Sequence, residues 1–321
     1  MEPSIAGCFG KLPIYGDFIR FNADGRDVDR FDEWIQKGLA FAQQRLGETW
    51  AADFERADAW SFVFSPDEAE DYLAGVYTPS RDQGGRQYPF LIFCRMEAGP
   101  MNGLGHLLPQ VLASFLIRSV EMARTGWVGV SLETFLLAIR QIRPSEESEW
   151  RSAEERYVRR LSTQQAREFW TDLFGEFEHP RKYLLYQRLV EVLQPIGRSS
   201  SAISLGLKFP LLSHKEEERW DLALWLDLIE QIGRHRYQVS SFFWNRPAGR
   251  AAPCALVLLG DPSPQNLALF VRPELEGETW YDLAPETFSG LVEAKRDLRS
   301  DRRTLLERSD LSLAAFIEAA R

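Results

Sequence analysis

An α/β protein of the layered α+β kind, with a mainly antiparallel sheet flanked by helices, is predicted by two patterns. Short aromatic or β-branched runs are divided by proline, glycine and aspartate, and they alternate with stretches whose apolar residues recur three or four apart. A third observation sets the scale: 45% hydrophobic and 12% aromatic residues in a chain of 321 supply one or two globular cores.

Residues 6–9 read as a short buried strand entering a loop, 10–16, whose glycines and Pro13 exclude regular structure. A helix follows. Asp27 can cap it, and Val28, Phe31, Ile35, Leu39, Ala42 and Leu46 form one apolar stripe that needs a sheet to cover it, before Gly47 ends the run. Residues 60–64, 72–77 and 88–94 carry strand grammar and predict three or four largely antiparallel strands. Leu107, Leu108, Val111, Leu112, Phe115 and Leu116 then repeat at helical spacing, with Pro109 tolerable in the first turn. Residues 131–143 make another helix, stopped by Pro144.

From 145 to 177 the composition turns charge-rich and helical, with Glu147 four before Arg151 and Glu155 four before Arg159. Trp150, Tyr157, Phe169 and Trp170 still give this stretch a buried edge, so it reads as a packed connector. The division that follows is an N-terminal domain at 1–144, a helical connector at 145–200 and a C-terminal α/β domain at 201–321. The last part repeats the grammar of the first in outline. A strand at 201–207 leads to a helix with a Ser213 and Glu216 capping box, which ends at Gly233 with Arg234 and Arg236 suited to its dipole. Strands at 239–244 and 255–259 come next, then helical stretches near 286–299 and 309–320.

With 38 basic and 47 acidic residues the formal charge is -9, which repels phosphate backbones and anionic lipid. Nucleic acid and direct membrane insertion are therefore set aside as partners. No apolar run approaches the roughly 20 residues needed to span a bilayer, and the start Met1-Glu2-Pro3-Ser4 lacks a basic region followed by an apolar one, so a cytoplasmic protein is expected. Cys8, Cys94 and Cys254 are scattered through apolar stretches, and His106, His179, His214 and His235 show no ligand spacing, so neither a disulfide framework nor a metal site is expected.

Lys11 after Gly10 hints at a phosphate loop, but Leu12 and Pro13 stand where a hydroxyl residue and open amides are needed. Gly99, Gly103 and Gly105 lack the strand and helix of a dinucleotide turn, no serine sits in a glycine-flanked elbow, and Asp67 and Glu68 beside Pro66 read as a solvated loop. No catalytic, cofactor-binding or metal residues are assigned, and a non-enzymatic protein is expected.

Phe9-Gly10-Lys11-Leu12-Pro13, then Gly16-Asp17-Phe18-Ile19-Arg20, then a helix with Asp32, Trp34 and Gln36 resemble the opening signature of the TagF/ImpM family. Trp60-Ser61-Phe62 before Ser65-Pro66, Gly75-Val76 with Pro79-Ser80, and Gly85-Arg86 with Tyr88-Pro89-Phe90 follow in the family's order. Ser240 to Trp244 resembles, loosely, a serine and tryptophan motif of longer members. Ile14-Tyr15 and Arg81 depart from the usual pattern, which has a small or basic pair and an aspartate there. The resemblance implies an accessory protein of a bacterial type VI secretion system without catalysis, acting as a post-translational regulator, in some members a repressor, by engaging a forkhead-associated scaffold protein. The first unit is expected to resemble a longin- or profilin-like layer arrangement. A hydrolase-like enzyme with an acidic site assembled by the fold, and a purely structural assembly subunit, are the alternatives.

The signature also has its own physical reading. Gly10 and Gly16 permit backbone angles that other residues resist, Pro13 stiffens the turn, and Asp17 can cap local amides. Tyr15, Phe18 and Tyr88 are loop aromatics that core spacing does not explain. Lys11, Leu12, Tyr15, Asp17, Phe18, Arg86 and Tyr88 are therefore the candidate partner-binding residues. The plain alternative is a conformation-setting turn in which Arg86 pairs with Asp17.

Overall fold

The computed structural model describes residues 5–65, 71–97, 105–144, 147–196, 204–212, 218–233, 239, 241–245, 247, 252–287 and 290–321. Strand β1 (Gly7–Gly10) runs into the signature loop and returns as β2 (Ile19–Phe21), paired antiparallel. At three residues, β2 is too short for a period-two pattern to register in sequence. Helix α1 (Arg26–Leu46) starts from Gly25 instead of an Asp27 cap. Asp27 lies in the first turn, where the helix dipole favours a carboxylate, and it accepts a hydrogen bond from Arg95 Nε at 2.7 Å. Gly47 ends the helix with a φ of 55°, a left-handed angle natural to glycine.

After α2 (Trp50–Arg56), strands β3 (Trp60–Phe64), β4 (Asp71–Thr78) and β5 (Phe90–Glu97) form an antiparallel meander. A 3-10 turn then leads through α3 (Leu108–Val111) to α4 (Ala113–Glu121), which runs on as a π turn over Met122–Gly126, and α5 (Leu132–Gln141) follows with Ser131 as its cap. The connector folds as α6 (Glu147–Thr163), α7 (Ala166–Phe174) and α8 (Pro180–Ile196). A capping box between Gln165 and Glu168 opens α7.

The remaining elements are β6 (Leu205–Pro210), α9 (Glu218–Ile232), β7 (Ser241–Asn245), β8 (Cys254–Leu259), a 3-10 turn into α10 (Ala268–Val271), β9 (Trp280–Asp282), α11 (Leu291–Asp297), α12 (Ser300–Glu307) and α13 (Leu313–Ala319). The Ser213 and Glu216 capping box, His214, His235, Arg234 and Arg236 lie outside the described residues, as do Gly99, Gly103, Asp67 and Glu68. On α9 it is the buried Asp221 that ties the helix to the end of β6, accepting the Leu212 N–H at 2.7 Å.

Among the described residues nine strands make one open sheet in the order β2-β1-β5-β4-β3-β7-β8-β6-β9, antiparallel throughout except β6 with β9. The first and last parts of the chain meet where β3 pairs with β7, with Phe62 opposite Phe243. That pairing covers an edge whose backbone groups would otherwise be open to another strand.

Alternation along the strands splits the interior into two layers. One face sends Phe9, Phe62, Phe64, Tyr77 and Phe243 against α1 and α10, with Phe31 and Phe64 4.2 Å apart and Trp60 stacked on Phe270 at 4.6 Å. The other face sends Cys8, Val63, Val76, Ile92 and Val257 against helices that include α4, α8 and α9. Gly38 allows α1 to meet the turn before α10, since a Cβ there would lie 2.6 Å from Leu267 Cβ and 2.7 Å from the Pro264 carbonyl oxygen. Among the described residues no helix is long and apolar enough to cross a membrane, and Cys8, Cys94 and Cys254 are buried and form no disulfide.

Candidate functional site

The signature begins where β1 ends. Gly10 has a φ of 124°, and a Cβ at this position would lie 2.0 Å from the Pro89 carbonyl oxygen, so only glycine lets β1 approach the chain entering β5. Beyond it, the Tyr15 N–H donates to the Leu12 carbonyl at 3.0 Å and closes a turn over the buried Leu12. Gly16 adopts no left-handed angle, and a Cβ there would meet Gln83 Oε1 at an ordinary 3.7 Å, so the expected conformational demand on it is absent. Asp17 does cap a local amide, accepting the Phe18 N–H at 2.8 Å.

The second part is a hairpin at 80–88. The Tyr88 N–H donates to the Ser80 carbonyl at 3.1 Å, the Asp82 N–H to the Arg86 carbonyl at 3.1 Å, and Gly85 takes a φ of 85° to complete the turn. Asp82 is its hub. The carboxylate accepts the Arg86 N–H at 2.9 Å and Arg86 Nε at 2.6 Å, and Lys11 Nζ lies 3.1 Å away. Arg86 also donates from Nη2 to the Gly16 carbonyl at 2.8 Å, and the Gln83 N–H donates to the Tyr15 carbonyl at 3.0 Å. Loop and hairpin are thus knotted together around one buried anion. Although burial works against its charge, the Arg86 N–H, Lys11 and the Arg86 guanidinium hold the Asp82 carboxyl at about 2.

Arg86 therefore pairs with Asp82 and the Gly16 carbonyl, not with Asp17. Phe18 packs on Phe9 and on Tyr88, with ring centroids 6.3 and 5.1 Å apart. Tyr88 is buried, and its hydroxyl donates to Asp32 on α1; burial first, then that carboxylate, pushes the phenol well above its ordinary range. Asp32 in turn lies 3.8 Å from Arg20. Of the seven candidates, Tyr15, at 42%, Asp17 and Arg86 are exposed, and of these three Arg86 has its charge committed to Asp82.

Against this knot lies a cleft of about 410 Å³. Its walls are Pro13 from the loop, Phe54 and Glu55 from α2, Ala57 and Ala59 before β3, Thr78 to Arg81 at the end of β4 and beyond it, and Ala123, Arg124 and Trp127 from the π turn and the residue after it. Among the described residues Glu55 is the one carboxylate in that lining, and it is ion-paired with Arg81 at 3.0 Å. Arg124 faces Asp58 at 4.0 Å. Among the described residues no group of His, Cys, Asp and Glu is placed to hold a metal ion. Of the described histidines, His106 is pushed down by burial, and His179 accepts the Arg181 N–H at 3.2 Å at the start of α8.

Sequence reasoning does not single out Asp82 or Thr78, and it names Asp32 in the signature helix without its contact to Tyr88. A readable signal exists for Asp82, an aspartate before Gln83-Gly84-Gly85 in a hairpin turn. For Asp32 the signature marks the residue, but a helical pattern alone presents it as an ordinary solvent-facing carboxylate and gives no sign of Tyr88 as its partner.

Residues 7–126 match the model of the TagF N-terminal domain, described as Type VI secretion system-associated. Among solved structures, the crystal structure of PA0076 from Pseudomonas aeruginosa PAO1 is similar at 20% identity, over 88% of this chain and 100% of that one, with a TM-score of 0.46. No curated protein matches the chain.

Proposed function

We propose, from the membership of residues 7–126 in the TagF N-terminal domain family, which is associated with type VI secretion, that the chain is a cytoplasmic regulator of that system which works by binding another protein. Its partner is a forkhead-associated scaffold protein of the secretion apparatus, and its effect is repression after translation. The observation that carries this reading is the knot at Asp82. Lys11, Arg86 and Tyr88 spend their polar groups on Asp82, the Gly16 carbonyl and Asp32, so the signature acts by fixing backbone and surface shape. Such a surface suits recognition of a folded partner with little rearrangement.

No catalysis is proposed. Acid and base work needs two groups converging on a substrate, and the Glu55 carboxylate lining the cleft is neutralised by Arg81. Deleting the gene in cells carrying the secretion cluster tests the direction of the effect. A repressor's loss raises secretion, whereas loss of secretion would replace this reading with that of an assembly subunit.

A further inference from the structure

The cleft beside the knot has features that a merely structural crevice does not need. Thr78 is only 8% exposed and lines the cleft, yet its hydroxyl has no hydrogen-bond partner among the described residues. A buried hydroxyl left in that state is costly, and a ligand that supplies a partner removes the cost. Pro13, Phe54, Pro79 and Trp127 supply the apolar part of the walls, and Glu55, Ser80, Arg81 and Arg124 supply the polar part.

The electrostatics point to the sign of the occupant. Arg81 and Arg124 have side chains 57% and 41% exposed at the cleft, and Arg86 beside them is 63% exposed while its counter-ion Asp82 is wholly covered. Asp58, opposite Arg124, is also more covered than its partner. Arg86 and Arg124 thus face solvent over more covered carboxylates, while Glu55, the partner of Arg81, is 54% exposed; the lining itself sets Arg81 and Arg124 against that one carboxylate, on a chain whose net charge is -9. The segment that supplies Arg124 and Trp127 carries exposed apolar side chains as well, namely Ile117, Val128, Val130 and Leu137. It contains the π turn, a distortion found often at functional sites.

We propose that this cleft seats a short peptide segment of a partner protein in which an apolar residue is flanked by acidic ones. The apolar side chain lies between Phe54 and Trp127, a backbone group of the peptide pairs with the Thr78 hydroxyl, and a carboxylate faces Arg81 and Arg124. This inference rests on the protein-binding reading above and names the chemistry that is recognised.

The test follows the Trp127 indole NMR signal, assigned with Trp127→Phe, in the full-length protein. Two probes are titrated: the acetylated amide of alternating glutamate and leucine, and its counterpart of alternating lysine and leucine. The expected result is a saturable shift with the acidic peptide, with affinity at least fivefold weaker for the basic one. Thr78→Val, which keeps the shape of the side chain, weakens the acidic peptide severalfold, and Arg81→Glu with Arg124→Glu inverts the preference. Equal response to both peptides, no response to either, or a signal that moves with protein concentration alone, as a second copy in the cleft would cause, overturns the inference. If neither peptide binds while gene deletion still raises secretion, the inference fails and the regulatory reading stands. If the acidic peptide binds and deletion leaves secretion unchanged, the reverse holds.

Discussion

Asp82 near the amino terminus and Lys182 on α8 are both closed off from solvent, and the fold treats them in opposite ways. Asp82 has two cations and a backbone N–H pointed at it, so its charge is fixed at every ordinary pH. Lys182 meets the Leu306 carbonyl at 3.1 Å and the rings of Phe177 and Tyr183, which lie 3.6 and 4.8 Å from its Nζ. The nearby carboxylates Glu178 and Glu307 are claimed by Lys295, at 3.1 and 2.9 Å. Burial therefore pushes Lys182 down to about 8. A buried charge answered by opposite charges sets geometry, whereas one answered by rings and a carbonyl is a stability cost that pH can relieve.

Removing the hub should cost most. Asp82→Ala leaves Lys11 and Arg86 without their anion and the hairpin without its side-chain cap, so it lowers the melting temperature further than Gly38→Leu does, with faster exchange of the Arg86 amide. Because the folded pKa of Asp82, about 2, lies below the ordinary 3.8, its contribution is present above pH 3.8 and is lost as pH falls toward 2. Acid titration of the wild type shows that loss, and the variant lacks it. A variant as stable as the wild type would mean that the knot does not hold this end of the fold together.

A smaller effect is expected where the two parts of the chain meet without charge. Gly38→Leu forces a side chain into Leu267 and the Pro264 carbonyl and should destabilise by about 1–3 kcal/mol in denaturant titration. An unchanged midpoint would mean that α1 does not bear on the turn before α10.

The smallest effect has the opposite sign. Lys182→Met replaces a poorly compensated cation with an apolar chain and should stabilise the protein by about 1 kcal/mol at pH 7. The folded pKa of about 8 lies below the reference 10.5, so between them the unfolded chain holds the extra proton and wild-type stability rises with pH. The advantage of the methionine variant should shrink from pH 8 to pH 10, as chemical denaturation at each pH would reveal. A constant difference would show that the amine does not titrate in that range.

Much of the scaffold was legible in the sequence because burial writes itself as periodicity. The stripe from Val28 to Leu46, the run Trp60–Phe64 and the end at Gly47 all lie where spacing and turn chemistry put them. Elements too short for a period, β2 and β9, left no mark, and the pairing of β3 with β7 joins residues about 180 apart that nothing local connects. At the candidate site, Gly10 could be recognised because glycine is needed where chains touch. The partners of Arg86 and Tyr88 could not, since Asp82 and Asp32 compete with many other carboxylates and only the folded backbone chooses among them.

Calorimetric titration of the forkhead-associated scaffold protein into the wild type and into a Tyr15→Ala, Asp17→Lys double variant tests the proposed role of the signature surface most directly. Both residues are exposed, so the variant should keep the melting temperature of the wild type. Saturable binding to the wild type is predicted, with affinity at least tenfold weaker for the variant. Equal affinities, or no binding to the wild type, would contradict that role.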